Sequence, residues 1–169
     1  MTSALTTGEL QAWRLFLRAH AQVTHRLEAE LLAEHELPLP SYDVLVQLSE
    51  APGRQLRMTG LAGQVLLSRS GLTRLIDRLE REGLVERQSC PSDARGTLAV
   101  LTDAGLQRLR DAWPTHLRGV AEHVTGKLTP DEVAQLAALL AKLVEPCSNA
   151  LEEVCSLDPE QTSCAGETS

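Results

Sequence analysis

A mainly α-helical chain with one small β wing is the fold class this sequence predicts, on three observations. Aromatic residues are only 2% of the chain against 43% hydrophobic content. A core built from Leu, Val and Ala favours helices over a β-sandwich. Long stretches repeat apolar residues at threes and fours, the period of a one-sided helix. Between residues 84 and 101 that period gives way to a strand–turn–strand pattern.

The stretch from Arg57 to Arg95 organises the rest. Ser68 to Glu82 predicts a helix with Leu72, Leu75, Ile76 and Leu79 on one face. Ser68 is a good N-cap type, and Gly83 stands where a left-handed residue would stop the helix. The opposite face holds Arg69, Ser70, Thr73, Arg74, Asp77, Arg78 and Arg81. Before it, Thr59 to Val65 predicts a shorter helix with Leu61, Ala62 and Val65 inward. Two short helices, the second with a polar cationic face, form a helix-turn-helix pattern. After Gly83, residues 84–88 run as a strand, 89–96 turn through Pro91, Asp93 and Gly96, and 97–101 return. A basic face on one helix is usually only a solvated surface. The order of short helix, basic helix, glycine stop and arginine-tipped hairpin is far more specific, and it predicts a winged helix.

These residues also resemble a known family. The run MTGLAGQVLLSRSGLTRLIDRLEREGLVER at 58–87, followed by SDARGTLAVLTDAG at 92–105, is similar to the MarR (multiple-antibiotic-resistance regulator) family of bacterial transcription factors. The similarity spans roughly residues 10 to 143, and its most specific pieces are Asp93-x-Arg95 and Leu101-Thr102-x-x-Gly105. It implies a sequence-specific regulator of double-stranded DNA, a repressor, acting as a homodimer whose terminal helices intertwine. It also implies a small aromatic or phenolic effector in a crevice between the dimer helices and the winged domain.

The remaining elements follow in order. Thr6 and Glu9 make a capping-box signal for a long helix to about Glu34, with Leu10, Trp13, Leu17, Ala21, Thr24, Leu27 and Leu31 on one stripe. Pro38 and Pro40 break it, and Ser41 is expected to cap a helix from Tyr42 to Glu50. Gln55 to Arg57 predicts a short strand beside the wing. Thr102 caps the next helix, whose apolar positions Leu106, Leu109, Trp113, Leu117, Val120 and Val124 form a seven-residue packing repeat crossed by Pro114. Thr129-Pro130-Asp131-Glu132 starts the last long helix. The expected organisation is an N-terminal dimerisation helix at 1–36, a winged helix-turn-helix at 37–101, C-terminal dimerisation helices at 102–156 and a flexible tail at 157–169. Apolar seams at both ends exceed what one small core needs, which points to a two-fold dimer.

Charge sharpens the reading. Residues 52–95 contain eight arginines against five acids, while the whole chain carries −7. A local cationic block in an acidic chain attracts a polyanion at one face only. No stretch reads as a membrane span and no signal pattern opens the chain, so a cytoplasmic location is expected. The four cysteines, at 90, 147, 155 and 164, form no ligand-like pair and are expected as free thiols. No phosphate loop, nucleophile elbow or metal-binding helix signature is present, so neither enzyme activity nor a cofactor is expected.

Roles can be assigned residue by residue. Arg69, Thr73 and Arg74 are the expected readers of base edges, since arginine donates two hydrogen bonds to guanine and a threonine methyl meets thymine. Ser68, Ser70 and Arg78 are expected on phosphates, and Arg57, Thr59 and Gln64 on the backbone from the preceding elements. Asp77 is expected to pair with a nearby arginine. Arg95 is expected at the minor groove, oriented by Asp93. Trp13, His20, Tyr42, Leu45, Trp113 and His116 are the candidates to border an effector crevice, ordinary packing being the simpler reading of the tryptophans. Two other switches stand as alternatives: oxidation of Cys90 on the wing, and a metal held by His20 or His25 with His116 or His123. The thiol-sensing members of the family have a cysteine near the start of the first helix, and this chain has none there. A protein-interaction module built on the same fold is the alternative function.

Overall fold

A computed structural model describes residues 4–65, 67–90 and 93–144, with the side chains of 90 and 93–95 excluded. The first helix, α1 (Thr7–His35), begins with a complete Thr6/Glu9 capping box, and Glu36 closes it in the left-handed conformation. Its C-terminal part buries Leu27 and Leu31, whereas Leu10, Trp13 and Leu17 stay exposed.

The second helix, α2 (Leu39–Glu50), starts two residues earlier than the cap expected at Ser41. Pro38 is its N-cap and Pro40 lies in the first turn, where a missing N–H is harmless. Ser41 is instead buried at 1% exposure and accepts a hydrogen bond from the Arg78 guanidinium. A turn through Gly53 leads to β1 (Gln55–Arg57), then to α3 (Met58–Gln64) and α4 (Arg69–Arg81). The Ser68 side chain accepts from the Gly71 N–H, and Gly83 takes φ +72°, which only glycine adopts without strain.

The wing is longer than expected. β2 (Val85–Cys90) and β3 (Asp93–Leu101) pair antiparallel, with an irregularity between Ser89 and Cys90. β1 adds to the other edge of β3, giving the order β1-β3-β2 with Leu56 opposite Ala99. The stretch 93–96, expected as turn, continues the strand.

Next, α5 (Asp103–His123) is capped by Thr102 and runs on across Pro114. Of the expected apolar seam it buries Leu109 and half-buries Leu106, Trp113, Val120 and Val124, while the fully buried positions are mostly small residues. Gly105, Leu109, Ala112, Thr115 and Gly119 face inward, and Leu117 is 47% exposed. Small residues let α5 lie close against α1, where a Cβ on Gly119 would come within 2.6 Å of Leu27. The last helix, α6 (Pro130–Ala141), has the Thr129/Glu132 capping box but buries none of its residues within this chain. The end of the expected C-terminal helices, from residue 145, and the tail lie outside the described residues.

One core joins these elements: Leu31 and Leu37, then Tyr42, Val44, Leu45 and Leu48 of α2, Leu61 of α3, Leu72, Ile76 and Leu79 of α4, Val85 and Ala99 of the wing, and Leu109 and Ala112 of α5. Each such leucine contributes roughly 1.5–3 kcal/mol by leaving water. The core therefore fixes α4 against α2 and the wing with its polar face outward.

Candidate nucleic-acid interface

The amphipathic split of α4 sets the geometry of this face. With Leu72, Ile76 and Leu79 sealed in the core, Ser68, Arg69, Ser70, Thr73 and Arg74 are all exposed. Arg69 and Arg74 have no ion pair or side-chain hydrogen bond among the described residues, so both guanidinium groups keep their full donor sets. Ser68 and Ser70 hydroxyls lie 3.3 Å apart at the helix N-terminus. Thr73 donates to the Arg69 carbonyl at 2.9 Å, which fixes its rotamer. The open N–H groups and dipole of that helix end favour an anion there.

Other arginines are used within the protein. Arg87 of β2 reaches back to α4, with Nη2 2.6 Å from Asp77 and Nη1 2.6 Å from Glu80. Its Nη2 also donates to the Thr73 carbonyl at 3.3 Å. The partner expected for Asp77 thus comes from the wing, not from its own helix. Arg78 is drawn away from the outer face, donating to buried Ser41 and lying 3.8 Å from Glu82. Arg57 and Thr59 join Thr73, Arg87 and Thr97 around a concavity of about 390 Å³ between α3, α4 and the wing. Gln64 faces elsewhere, toward α2 and α5. Asp93, Arg95 and Cys90 have backbone positions on the wing, but their side chains lie outside the described residues.

The MarR family profile matches residues 37–97. Among curated proteins, a Bacillus subtilis HTH-type transcriptional regulator, YkoM, is 33% identical over 79% of this chain and 84% of its own length. Among solved structures, AbsC, a MarR family transcriptional regulator from Streptomyces coelicolor, shares 38% identity with a TM-score of 0.76, covering 84% of this chain and 95% of that one. The chain belongs to the MarR family. A second Streptomyces coelicolor MarR regulator, Sco3205, solved in complex with DNA, is 35% identical with a TM-score of 0.80, over 89% of this chain and 94% of its own. The winged helix-turn-helix described above is the MarR fold, and this MarR-family chain is a transcription regulator.

Apart from the exposed face of α4, this MarR domain holds a crevice of about 320 Å³ between α2, α3 and α5. Of the expected effector residues it brings together Tyr42, Trp113 and His116. Tyr42 and His116 stack with ring centroids 4.4 Å apart. The Tyr42 hydroxyl and His116 Nδ1 are buried without a hydrogen-bond partner among the described residues. Leu45 is fully buried in the core, and Trp13 and His20 are exposed on α1, where Trp13 stacks on Phe16; none of these three lines the crevice.

Sequence reasoning missed Asp43, Gln47 and Glu50, which line it from one side of α2. Burial pushes the Asp43 carboxyl up to about 6 and raises Glu50 as well. Burial also lowers His116 below the usual histidine range, favouring neutral imidazole. The signal for this wall was present as a polar stripe, 43-47-50, on an otherwise buried helix.

The histidine pairs weighed for metal do not form the group that the fold assembles. Instead Glu30, Glu122 and His123 offer ligand atoms within 4.8 Å of one another. His123 Nε2 is 2.5 Å from Glu30, and the Arg26 guanidinium stands 3.4 Å from His123 Nδ1. An adjacent cation makes this cluster read first as an ion-pair network tying α1 to α5. Among the described residues no helix is long and apolar enough to cross a membrane.

Proposed function

We propose that this regulator is a homodimeric repressor that reads a pseudo-palindromic operator and is released by a small molecule. The observation that supports it is the outward face of α4, where Arg69, Thr73 and Arg74 stand exposed beside an N-terminus carrying the exposed hydroxyls of Ser68 and Ser70. In the major groove Arg69 and Arg74 would donate to guanine edges while the Thr73 methyl meets thymine. Ser68, Ser70, Thr59 and Arg57 would hold phosphates, and Arg95, oriented by Asp93, would reach the minor groove. Arg78 remains a weaker candidate, because binding a phosphate would mean leaving Ser41 and Glu82.

Exposed apolar side chains on α1, on α6 and just past its end fit a second copy. Leu15, Phe16 and Leu17 are about half exposed, and Leu139 and Leu143 more so. Two copies related by a two-fold axis would set two α4 helices about one DNA turn apart. The location this requires is cytoplasmic. Tyr42, Trp113 and His116 would bind the effector, which acts only through unequal affinity for DNA-competent and incompetent spacings.

Selection of bound duplexes from a random pool, followed by titration at several salt concentrations, tests the reading. A two-fold consensus is expected, with affinity falling steeply as salt rises because counterions are released. Arg74→Ala is expected to lose about 1–3 kcal/mol and to relax preference at one position of each half-site. Equal binding to selected and scrambled duplexes would sink the proposal.

A further inference from the structure

We propose that the crevice between α2, α3 and α5 takes a cationic ligand with an apolar or aromatic body, a ring-bearing ammonium, in preference to a carboxylate or phenolate. This rests on the reading of the crevice as an effector site and names the ligand class it selects. The lining has two carboxylates, Asp43 and Glu50, and no lysine or arginine. Burial already disfavours their ionised forms, as their raised titration shows. An anion entering here adds like charge to a poorly solvated wall, whereas a cation relieves it. His116 is held toward its neutral form, so it supplies no compensating positive charge.

Two further features suit an ammonium with a ring. Tyr42, 2% exposed, lines the crevice with its hydroxyl oxygen unpartnered, and His116 Nδ1 is likewise unused. Either atom can accept from an N–H, and an ammonium has three to give. Trp113 and the apolar lining provide the contact surface for a ring, and an indole face also attracts cations. The lining combines the carboxylates of α2 with the apolar side chains of Val46, Val65, Trp113 and Leu117, which matches a head-and-body ligand.

The test is calorimetric titration of the full chain, without DNA, using three probes that share a phenyl ring: phenethylammonium, 2-phenylethanol and 3-phenylpropanoate. The ammonium is expected to bind at least about tenfold tighter than either of the others, the size of one well-placed ion or cation–π contact. Asp43→Asn and Glu50→Gln are each expected to weaken the ammonium by about tenfold while leaving the alcohol unchanged. Both remove a buried charge, and circular-dichroism melting identifies the folded variant to be read. The proposal is overturned if the propanoate or the alcohol binds as well as the ammonium. Absence of ammonium binding at millimolar concentration, or folded variants that bind it as the parent does, would overturn it equally. Repeating the titration against labelled operator separates the two levels. An ammonium that binds without releasing DNA upholds the ligand class and removes the effector role. Intact DNA binding with no ammonium binding removes the ligand class alone.

Discussion

Arg87 shows how one side chain couples α4 to the wing. Its guanidinium bridges Asp77 and Glu80, so two acids on α4 are neutralised from the wing. Removing it would expose both carboxylates beside Arg74 and untie β2 from α4. The pairs are partly solvated, so their worth to stability is small, roughly 0–1 kcal/mol. Arg87→Ala is therefore expected to melt within a few degrees of the parent yet bind operator several-fold more weakly at low salt. Unchanged DNA affinity in a fluorescence-anisotropy titration would show that the bridge does not matter for binding. That Asp77 needed an arginine was legible from its charge on a helix expected to face phosphates. Which arginine was not, because Arg87 becomes its neighbour only when the hairpin folds back.

Asp43 supplies a second test at this scale. Its carboxyl titrates near 6, above the ordinary 3.8, because it is partly buried. The folded state therefore binds the extra proton between those values. The associated stability is fully present below the ordinary value and is lost as pH rises through about 6. Asp43→Asn is expected to flatten that slope and, above pH 7, to stabilise the fold by roughly 1–2 kcal/mol after allowing for partial exposure. Urea midpoints of parent and variant across pH 4–8 measure it, and parallel curves would contradict the assignment.

Among the elements, those with strong local punctuation were the legible ones. Ser68 and Gly83 bracket α4, and the threonine–glutamate pairs open α1 and α6, because caps and left-handed glycines act within a few residues. The start of α2 was misplaced because Ser41 is an equally good cap by type. The two prolines instead fit the first turn, and the serine was drawn inward by Arg78. On α5 the apolar repeat was legible as a packing seam, and Leu106, Leu109 and Trp113 do meet the core; the small residues beside it were not legible as contacts, since only close approach to α1 and the wing rewards the absence of side chain. Gly105 is the tightest point: a Cβ there would collide with the Leu84 backbone carbonyl and come within 2.7 Å of Leu101. Leu84 O also accepts from the Thr102 N–H, so the carbonyl has little freedom to move. Gly105→Ala is expected to destabilise by about 1–3 kcal/mol, as overpacking typically does. Gly119→Ala is expected to cost less, because it meets the side chains of Leu27 and Glu30, which can turn aside. Equal denaturation midpoints for parent and Gly105→Ala would refute the first expectation.

At the level of the whole molecule, the chain divides into a finished part and an unfinished one. Residues from the middle of α1 through α5 close around one core, while the start of α1 and all of α6 leave leucines in water. Leu139 of α6 is 59% exposed and Leu143, just past its end, 71%, an apolar patch of the kind that marks an interaction surface. Monomeric α6 would have little reason to persist, since helices of its length gain most of their stability from packing. In the proposed dimer a second copy would supply that packing and, by the same contact, would fix the separation of the two α4 helices. Leu139→Asp places a charge in the expected seam while leaving the single-chain core untouched. It is expected to shift sedimentation from dimer toward monomer and to lower operator affinity by at least about tenfold, because each half-site must then bind alone. Its affinity for a single half-site should stay near that of the parent. A variant that sediments as a dimer and binds the full operator normally would place the subunit contact elsewhere on the surface.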